Sequence, residues 1–310
     1  MISAIIDCGT NTFNLLIVEY DLSGNYKQLL NTKESVKLFE GGFEKQMIAP
    51  VPFERGINTF LNFVKLAETH KASRIHAFAT TAIRNSINGP DFVKTIFEKT
   101  QVMIQVLNGD TEAQYIYKGV KLALENVTEP LLIMDIGGGS TEFIIANENR
   151  VLWKRSFDLG ATGLFMEFKP SDPITQEEIK LLKDHFKETL QPLTHQLKKY
   201  SVNHLIGCSG IFESISEIIQ ATKGKNKTTE KLFNIDENDF RQTTQLLINS
   251  TVAERRKICG LVEFRVDTIV NSTILIDFVI KRYKIPRITY SAYALKEGIL
   301  YDLMDENVAV

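Results

Sequence analysis

Two short segments of the sequence place an aspartate at the end of an apolar strand and follow it with a turn of Gly, Ser, Thr and Asn. The first segment begins at Asp7 and the second at Asp135. Glycines let the backbone come close to a ligand, so that successive N–H groups can point at one anion. Hydroxyls add donors, and the aspartate could hold a hydrated Mg²⁺ that bridges phosphate oxygens. Either turn alone would also suit a plain hairpin, but the pair favours anion binding.

The two segments align without gaps. When residues 7–17 are placed over residues 135–145, the aspartates coincide, the glycines two positions later coincide, and Thr12 meets Ser140. Both segments end in an apolar run. A motif that opens each half of the chain in this way predicts a duplicated α/β fold with two lobes and a cleft between them.

A third Gly-rich turn, an arginine and a glutamate are further candidates for chemistry on phosphate. Ser209 and Gly210 lie in a Gly-rich turn between a strand and a helix, which fits a helix N-terminus that receives an anion. Arg84 follows a strand end, where a guanidinium could bind phosphate through two bonds, although an exposed helix arginine has the same spacing. Glu112 lies in the first turn of a predicted helix. The helix dipole alone favours an acid there, so its position leaves both a catalytic and a structural role open.

The elements around these residues repeat. Apolar spacing in the first third predicts the order β-β-β-α-β-α-β-α, and the pattern restarts near residue 128. We therefore predict an N-terminal domain over residues 1–127 and a C-terminal domain over residues 128–310. Thr175 and Glu178 have the spacing of a capping box at the start of a long helix.

Composition narrows the class of protein. The chain has 310 residues, which suggests two domains at about 150 residues each. Its 36 basic and 38 acidic residues give a net charge of −2, which disfavours DNA or RNA as a partner. The three cysteines lack a metal-binding spacing and indicate a reducing compartment. Because no membrane span or signal peptide is recognisable, the expected location is cytoplasmic, with no membrane partner.

Taken together, the motifs resemble those of the exopolyphosphatase/guanosine pentaphosphate phosphohydrolase (Ppx/GppA) family, which belongs to the superfamily of actin, Hsp70 and sugar kinases. The resemblance covers nearly the whole chain. Residues 135–142 reproduce the family motif D-I-G-G-G-S-T-E in full. The other similar segments are residues 7–17 (D-x-G-S-N-S-x-x-x-x-I in the family), 79–88 (A-T-S-A-x-R-x-A-x-N), 108–113 (S-G-x-E-E-A), 263–267 (R-A-D) and 296–298 (R-E-G).

The resemblance implies two actin-like, ribonuclease H-like domains in the short form of the family, and it implies roles for single residues. Glu112 would be the general base that orients or deprotonates the attacking water. Asp135 would hold Mg²⁺ or alternatively Mn²⁺, with help from Asp7, and Glu142 would support the metal or the water. No prediction follows for K⁺. The implied phosphate-binding residues are Gly9, Thr10, Asn11, Thr12, Arg84, Gly137, Gly138, Gly139, Ser140, Thr141, Ser209 and Gly210.

The expected activity is hydrolysis of the terminal phosphoanhydride of inorganic polyphosphate. The 5′-phosphohydrolysis of guanosine pentaphosphate (pppGpp) stays open as the alternative, because Ile211 replaces a threonine of the family's third loop and bears on how a nucleoside or distal chain is held. A kinase or ATPase of the same superfamily is a further interpretation, against which Glu112 argues. A non-catalytic nucleotide or polyphosphate sensor is the fourth. The resemblance also implies a homodimer.

Overall fold

The computed structural model describes residues 1–21, 25–124, 128–227 and 230–308, and these residues form two β-sheets with flanking helices. The strands are β1 (Ile2–Cys8), β2 (Thr12–Tyr20), β3 (Tyr26–Ser35), β4 (Arg74–Ala79), β5 (Ile104–Val106), β6 (Leu131–Ile136), β7 (Thr141–Ala146), β8 (Val151–Phe157), β9 (His204–Cys208), β10 (Leu232–Ile235) and β11 (Arg287–Ser291). The helices are α1 (Pro50–Thr69), α2 (Thr81–Asn85), α3 (Gly89–Thr100), α4 (Gly109–Lys121), α5 (Ala161–Phe168), α6 (Gln176–Thr189), α7 (Gln191–Leu197), α8 (Ser209–Thr222), α9 (Glu237–Asn249), α10 (Val252–Arg255), α11 (Ile269–Tyr283) and α12 (Leu295–Val308), and short 3-10 helices cover Phe43–Lys45 and Glu263–Arg265. Among these helices, none is both long and apolar enough to cross a membrane.

The first sheet has the strand order β3-β2-β1-β4-β5. β1, β2 and β3 form an antiparallel meander, whereas β4 and β5 run parallel to β1 after helical crossovers. The apolar side chains of β1 and β2 are buried, and Phe13 packs edge-to-face against Phe92 of α3 at 6.2 Å between ring centroids. α1 covers the same core with Phe60 and Phe63, which are fully buried.

The second sheet repeats this arrangement. Its order is β10-β11-β9-β6-β7-β8, so that β8-β7-β6-β9-β11 matches β3-β2-β1-β4-β5 in order and in strand direction. The prediction of an α/β protein with duplicated actin-like domains is thus confirmed. The matching strand pairs also place the two aspartates at the same point, since Asp7 pairs with Asn14 and Asp135 pairs with Glu142.

The second half departs from the predicted order β-β-β-α-β-α-β-α. β10 is an additional strand that pairs antiparallel with β11 at the sheet edge, and α9, α10 and α11 all lie between β10 and β11. The sequence did not predict β10 because a four-residue strand has too few residues to show a period of two. Its strand structure is fixed by the long-range partner β11, a contact that local patterning does not encode.

Contacts divide the chain into two compact units. The first unit consists of Met1–Gly119 together with Leu295–Val310, and the second is Val120–Ala294. The predicted division between residues 127 and 128 borders residues 125–127, which lie outside the described residues. The units differ from the prediction at the C-terminus, where α12 groups with the first unit rather than with the second.

Contacts of α12 with β1 and with α4 account for this grouping. A Cβ atom on Gly298 of α12 would lie 1.8 Å from the carbonyl oxygen of Tyr115 in α4 and 3.0 Å from the backbone nitrogen of Gly119. The two helices therefore touch backbone to backbone. Lys118 of α4 and Asp302 of α12 form an ion pair beside this contact.

Candidate active site

The loop between β1 and β2 has its carbonyl groups bound by the protein. The N–H of Gly9 donates to the carbonyl of Thr12 at 3.1 Å, which closes the turn. The carbonyls of Thr10 and Asn11 accept from the N–H groups of residues 36–38 at 2.8–3.1 Å. Among the described residues, the N–H of Thr10 has no acceptor. The loop thus turns its carbonyls inward and leaves a backbone donor for an anion.

The equivalent loop of the second unit is held in the same way. The N–H of Gly137 donates to the carbonyl of Ser140 at 2.9 Å. The carbonyls of Gly137 and Gly138 accept from the N–H groups of residues 161–163, at the start of α5, at 2.8–3.1 Å. Within the part of the chain that the structure describes, the N–H groups of Gly138 and Gly139 have no acceptor. Sequence reasoning identified this loop but not the helix that holds it.

Gly160 allows α5 to reach the loop. A Cβ atom at this position would lie 2.3 Å from the carbonyl carbon of Gly139 and 2.4 Å from the backbone nitrogen of Ser140. Only glycine fits against the loop backbone at that separation. Neither α5 nor a supporting role for Gly160 was predicted from the sequence.

Asp135 is a buried carboxylate at the end of β6. Its Oδ2 accepts a hydrogen bond from the Ser209 hydroxyl at 2.8 Å and from the Cys208 thiol at 3.6 Å. Its Oδ1 has no hydrogen-bond partner in the described parts of the chain. Burial raises the pKa of Asp135, and the hydrogen bonds from Ser209 and Cys208 oppose that rise. A nearby positive charge would therefore stabilise the ionised carboxylate.

The surroundings of Asp135 fit a hydrated divalent cation. Mg²⁺ prefers oxygen ligands and usually keeps several waters, with one or two carboxylates and substrate phosphates completing its shell. The Oδ1 atom of Asp135 fits that kind of ligand set. Among the described residues, no group of three or more His, Cys, Asp or Glu side chains is arranged to hold a metal ion. Asp7, at the equivalent position of the first unit, accepts a hydrogen bond from Asn14 at 3.0 Å on its Oδ2.

Glu142 connects the second loop to the sheet. It is only 1% exposed, and its Oε1 accepts from the hydroxyls of Ser140 at 2.8 Å and of Ser156 at 2.6 Å. Ser156 stands directly opposite Glu142 on β8. The hydroxyl of Thr141 donates to the carbonyl of Leu159 at 2.7 Å. Nothing in the sequence indicated Ser156, because its role depends on strand register.

The first unit contains a further buried acid, Glu112, which is paired with Arg84. Arg84 Nη1 lies 3.0 Å from Glu112 Oε2 and also donates to the carbonyl of Leu107 at 2.7 Å, while Nη2 donates to the Thr81 hydroxyl at 3.0 Å. Glu112 is 7% exposed. These contacts distinguish the pair from an exposed helix arginine and an exposed acid at a helix N-terminus.

The start of α4 fixes the backbone under Glu112. The side-chain oxygen of Asn108 accepts from the N–H of Thr111 at 2.8 Å, and its carbonyl accepts from the N–H of Glu112 at 3.0 Å. This is the bonding of an N-cap residue. Asn108, for which no role was predicted, thereby fixes the backbone from which the Glu112 side chain projects.

The third Gly-rich turn, at Ser209 and Gly210, packs against the guanidinium of Arg265 in the second unit. Ser209 has a φ of +63°, an uncommon conformation for a residue other than glycine. A Cβ atom on Gly210 would lie 2.3 Å from Arg265 Nη2, so Gly210 makes room for that guanidinium. Arg265 in turn contacts Glu213 at 3.0 Å and the Ser214 hydroxyl at 2.9 Å.

Two sheets of one strand order, each with an aspartate and a glycine-rich loop at the end of its first strand, define a duplicated actin-like α/β protein. Within that class, the chain belongs to the Ppx/GppA phosphatase family, whose profile matches residues 17–307. It is therefore a phosphatase and thus a hydrolase, which confirms the family and the enzyme class expected from the motifs.

Named relatives and solved structures are similar to this chain over most of their length and of its own. The crystal structure of an exopolyphosphatase from Cytophaga hutchinsonii is 33% identical, with a TM-score of 0.95 and 99% of this chain and 98% of that chain covered. Exopolyphosphatase 1 of Mycobacterium tuberculosis is 25% identical over 302 residues, which are 97% of this chain and 88% of that protein. A Ppx/GppA family member from Aquifex aeolicus shares the fold, with 21% identity, a TM-score of 0.83 and 99% of both chains covered.

Proposed function

We propose that this chain is an exopolyphosphatase that hydrolyses the terminal phosphoanhydride of inorganic polyphosphate. The observation that most supports this proposal is the buried Glu112 carboxylate, which Arg84 holds at 3.0 Å at the start of α4. The similarity to proteins named exopolyphosphatase supports polyphosphate as the substrate.

In this proposal Glu112 takes a proton from water while the water oxygen bonds to the terminal phosphorus. The bond from that phosphorus to the bridging oxygen breaks, which yields orthophosphate and a chain one unit shorter. Arg84 positions Glu112 through its three hydrogen bonds and adds positive charge near the reacting phosphate. Phosphoryl transfer depends mostly on such positioning and charge stabilisation.

The glycine-rich loops bind the phosphate oxygens. Their donors are the backbone N–H groups of Thr10, Gly138 and Gly139, since the loop carbonyls are bound elsewhere. Asp135 would hold Mg²⁺ through Oδ1. When bound, a divalent cation neutralises charge on the phosphate oxygens.

The proposal is tested by phosphate release from long-chain polyphosphate and from pppGpp, measured in parallel with Mg²⁺ and with EDTA. A positioned carboxylate base contributes about 10²–10⁴-fold, so Glu112→Gln should lower kcat by that factor. Glu177→Gln is the matched control, because Glu177 also lies in the first turn of a helix, α6, but is exposed. We expect this control to keep full activity.

Two outcomes would contradict the proposal. A folded wild-type protein that releases phosphate from neither substrate with Mg²⁺ is not the proposed hydrolase. A faster release from pppGpp than from polyphosphate would instead favour the alternative activity, pppGpp 5′-phosphohydrolysis.

Whether Glu112 and Asp135 act in one chemical step can be measured directly. Groups that act in the same step are not additive. The double variant Glu112→Gln/Asp135→Asn should therefore lose little more kcat than the more damaged single variant. Fully multiplied losses would show that the two residues act independently.

A further inference from the structure

The duplicated loops have equivalent hydroxyl groups with different neighbours. Thr12 and Ser140 occupy the same position, since the carbonyl of each closes its turn by accepting from the glycine three residues earlier. Two residues further along, the first loop has Asn14 and the second has Glu142. The two hydroxyls thus share a backbone position, whereas their neighbours differ, and Ser140 is buried while Thr12 is partly exposed.

In the second loop, the hydroxyl proton of Ser140 is already used. An ionised carboxylate can only accept hydrogen bonds, so Ser140 must donate its single proton to Glu142 Oε1 at 2.8 Å. Glu142 is almost fully buried, and a buried carboxylate that loses a donor is destabilised. Ser140 therefore presents its oxygen to a ligand only as an acceptor.

The Ser209 hydroxyl is likewise committed as a hydrogen-bond donor to a carboxylate. Its hydroxyl donates to Asp135 Oδ2 at 2.8 Å, so its oxygen also presents lone pairs rather than a proton. Lone pairs on hydroxyl oxygens suit a cation or the water bound to a cation, whereas they repel a phosphate oxygen. The hydroxyl that donates to Asp135 and the hydroxyl that donates to its cross-strand partner Glu142 are thus both oriented for positive charge.

In the first loop, the hydroxyl of Thr12 has no partner among the residues that the structure describes. Asn14 directs its side-chain N–H to Asp7 Oδ2 at 3.0 Å and does not engage Thr12. Thr12 keeps its proton for a ligand, which suits a phosphate oxygen.

We propose that the two equivalent hydroxyls interact with ligands of opposite charge. The Thr12 hydroxyl donates a hydrogen bond to phosphate, and the Ser140 oxygen accepts from water bound to the divalent cation or contacts the cation itself. This inference rests on the proposed function and refines it, since it assigns one of the two hydrolysis ligands to each of the two hydroxyl groups. It also changes the expected role of Ser140, which the family resemblance gave as phosphate-binding.

The test measures two ligands separately, without turnover. Mn²⁺ affinity is measured by electron paramagnetic resonance of the free ion in the absence of phosphate. Anion affinity is measured by calorimetry with inorganic tripolyphosphate in EDTA. The variants are Ser140→Ala and Thr12→Val, which each remove one hydroxyl. Ser140→Thr and Thr12→Ser keep the hydroxyl and test whether changes come from packing alone.

We expect Ser140→Ala to weaken Mn²⁺ binding about 10-fold, the usual effect of losing a group that supports a metal ligand. Its tripolyphosphate affinity should be unchanged. Thr12→Val should weaken tripolyphosphate binding about 10-fold, as expected for one hydrogen bond to a charged group, with Mn²⁺ affinity unchanged. Both hydroxyl-retaining variants should bind like wild type.

The inference is wrong if Ser140→Ala weakens tripolyphosphate binding, if Thr12→Val weakens Mn²⁺ binding, or if neither variant changes either ligand. It is also wrong if the hydroxyl-retaining variants lose as much affinity as the others. These binding results are independent of phosphate release, so a failure here is distinguishable from a failure of the proposed hydrolysis.

Discussion

Replacement of Gly298 by alanine should move the helix that bears Glu112. The new Cβ atom would lie 1.8 Å from the carbonyl oxygen of Tyr115, three residues after Glu112 on α4. A carbon–oxygen contact needs about 3.3 Å, so α12 and α4 must separate by about 1.5 Å. Such overpacking costs about 1–3 kcal/mol, whereas alanine gains at most about 1 kcal/mol over glycine within a helix. The strain is the larger effect.

The same displacement should also shift Glu112 and lower the rate of hydrolysis. A shift of about 1 Å in a positioned group can lower the rate by about 10²-fold. We therefore expect Gly298→Ala to lower kcat by up to that factor with a smaller change in KM, measured by steady-state phosphate release. Asp302→Asn is the control, because it removes a side-chain contact between the same helices without separating their backbones.

A double-variant experiment separates positioning from general destabilisation. If Gly298 acts through Glu112, then Gly298→Ala should lower kcat no further in the Glu112→Gln background. An equal loss in both backgrounds would refute the reasoning, as would a Gly298→Ala enzyme with wild-type kcat.

Three other perturbations have defined outcomes. Gly160→Ala places a Cβ atom 2.3 Å from the backbone of the second loop and should lower kcat/KM about 10²-fold in the phosphate-release assay, with an unchanged far-UV circular dichroism spectrum. Gly210→Ala should displace the guanidinium of Arg265 and lower Tm in scanning calorimetry, because the displacement breaks the partly buried ion pair between Arg265 and Glu213. Hydrogen bonds from Ser171 first, and then from the N-cap residue of α6, lower the pKa of Glu178 from 4.5 to about 2. Since the folded-state pKa lies below the unfolded value, this carboxylate stabilises the protein above about pH 4.5, and the contribution is lost as the pH falls towards about 2. The Tm difference between wild type and Glu178→Gln should shrink across that window.

Each of these expectations can fail in a recognisable way. Wild-type kcat/KM in Gly160→Ala would show that the loop tolerates a shift of its supporting helix. An unchanged Tm in Gly210→Ala would show that the Arg265 contact adds nothing to stability. A Tm difference for Glu178→Gln that is constant with pH would exclude a role for its ionised form.

Local patterns predicted much of the fold. The alternation of strands and helices predicted the order of β1 to β5 with α1, α3 and α4, and the capping box of Thr175 and Glu178 is present with both of its hydrogen bonds. The repeated aspartate and glycine positions predicted the duplication, which strand register confirms. Such features depend on residues that are close in sequence, so the sequence is sufficient to find them.

Features set by tertiary contacts were not predictable. The burial of Glu112 depends on Arg84, 28 residues earlier, and the position of Glu142 depends on Ser156 across a strand pair. β10 exists only because β11 pairs with it. The close contact of α12 with α4 depends on Gly298, whose need for close approach no local pattern reveals.

The packing of α12 on α4 has a consequence for biosynthesis. The second unit is continuous in sequence, and it separates residues 1–119 from residue 295 onward, so the ribosome completes the second unit before it completes the first. Until α12 emerges, the nascent chain exposes the face of α4 next to Tyr115. Glu112 therefore gains its final support last, and a nascent chain that lacks α12 should fold its second unit yet remain inactive.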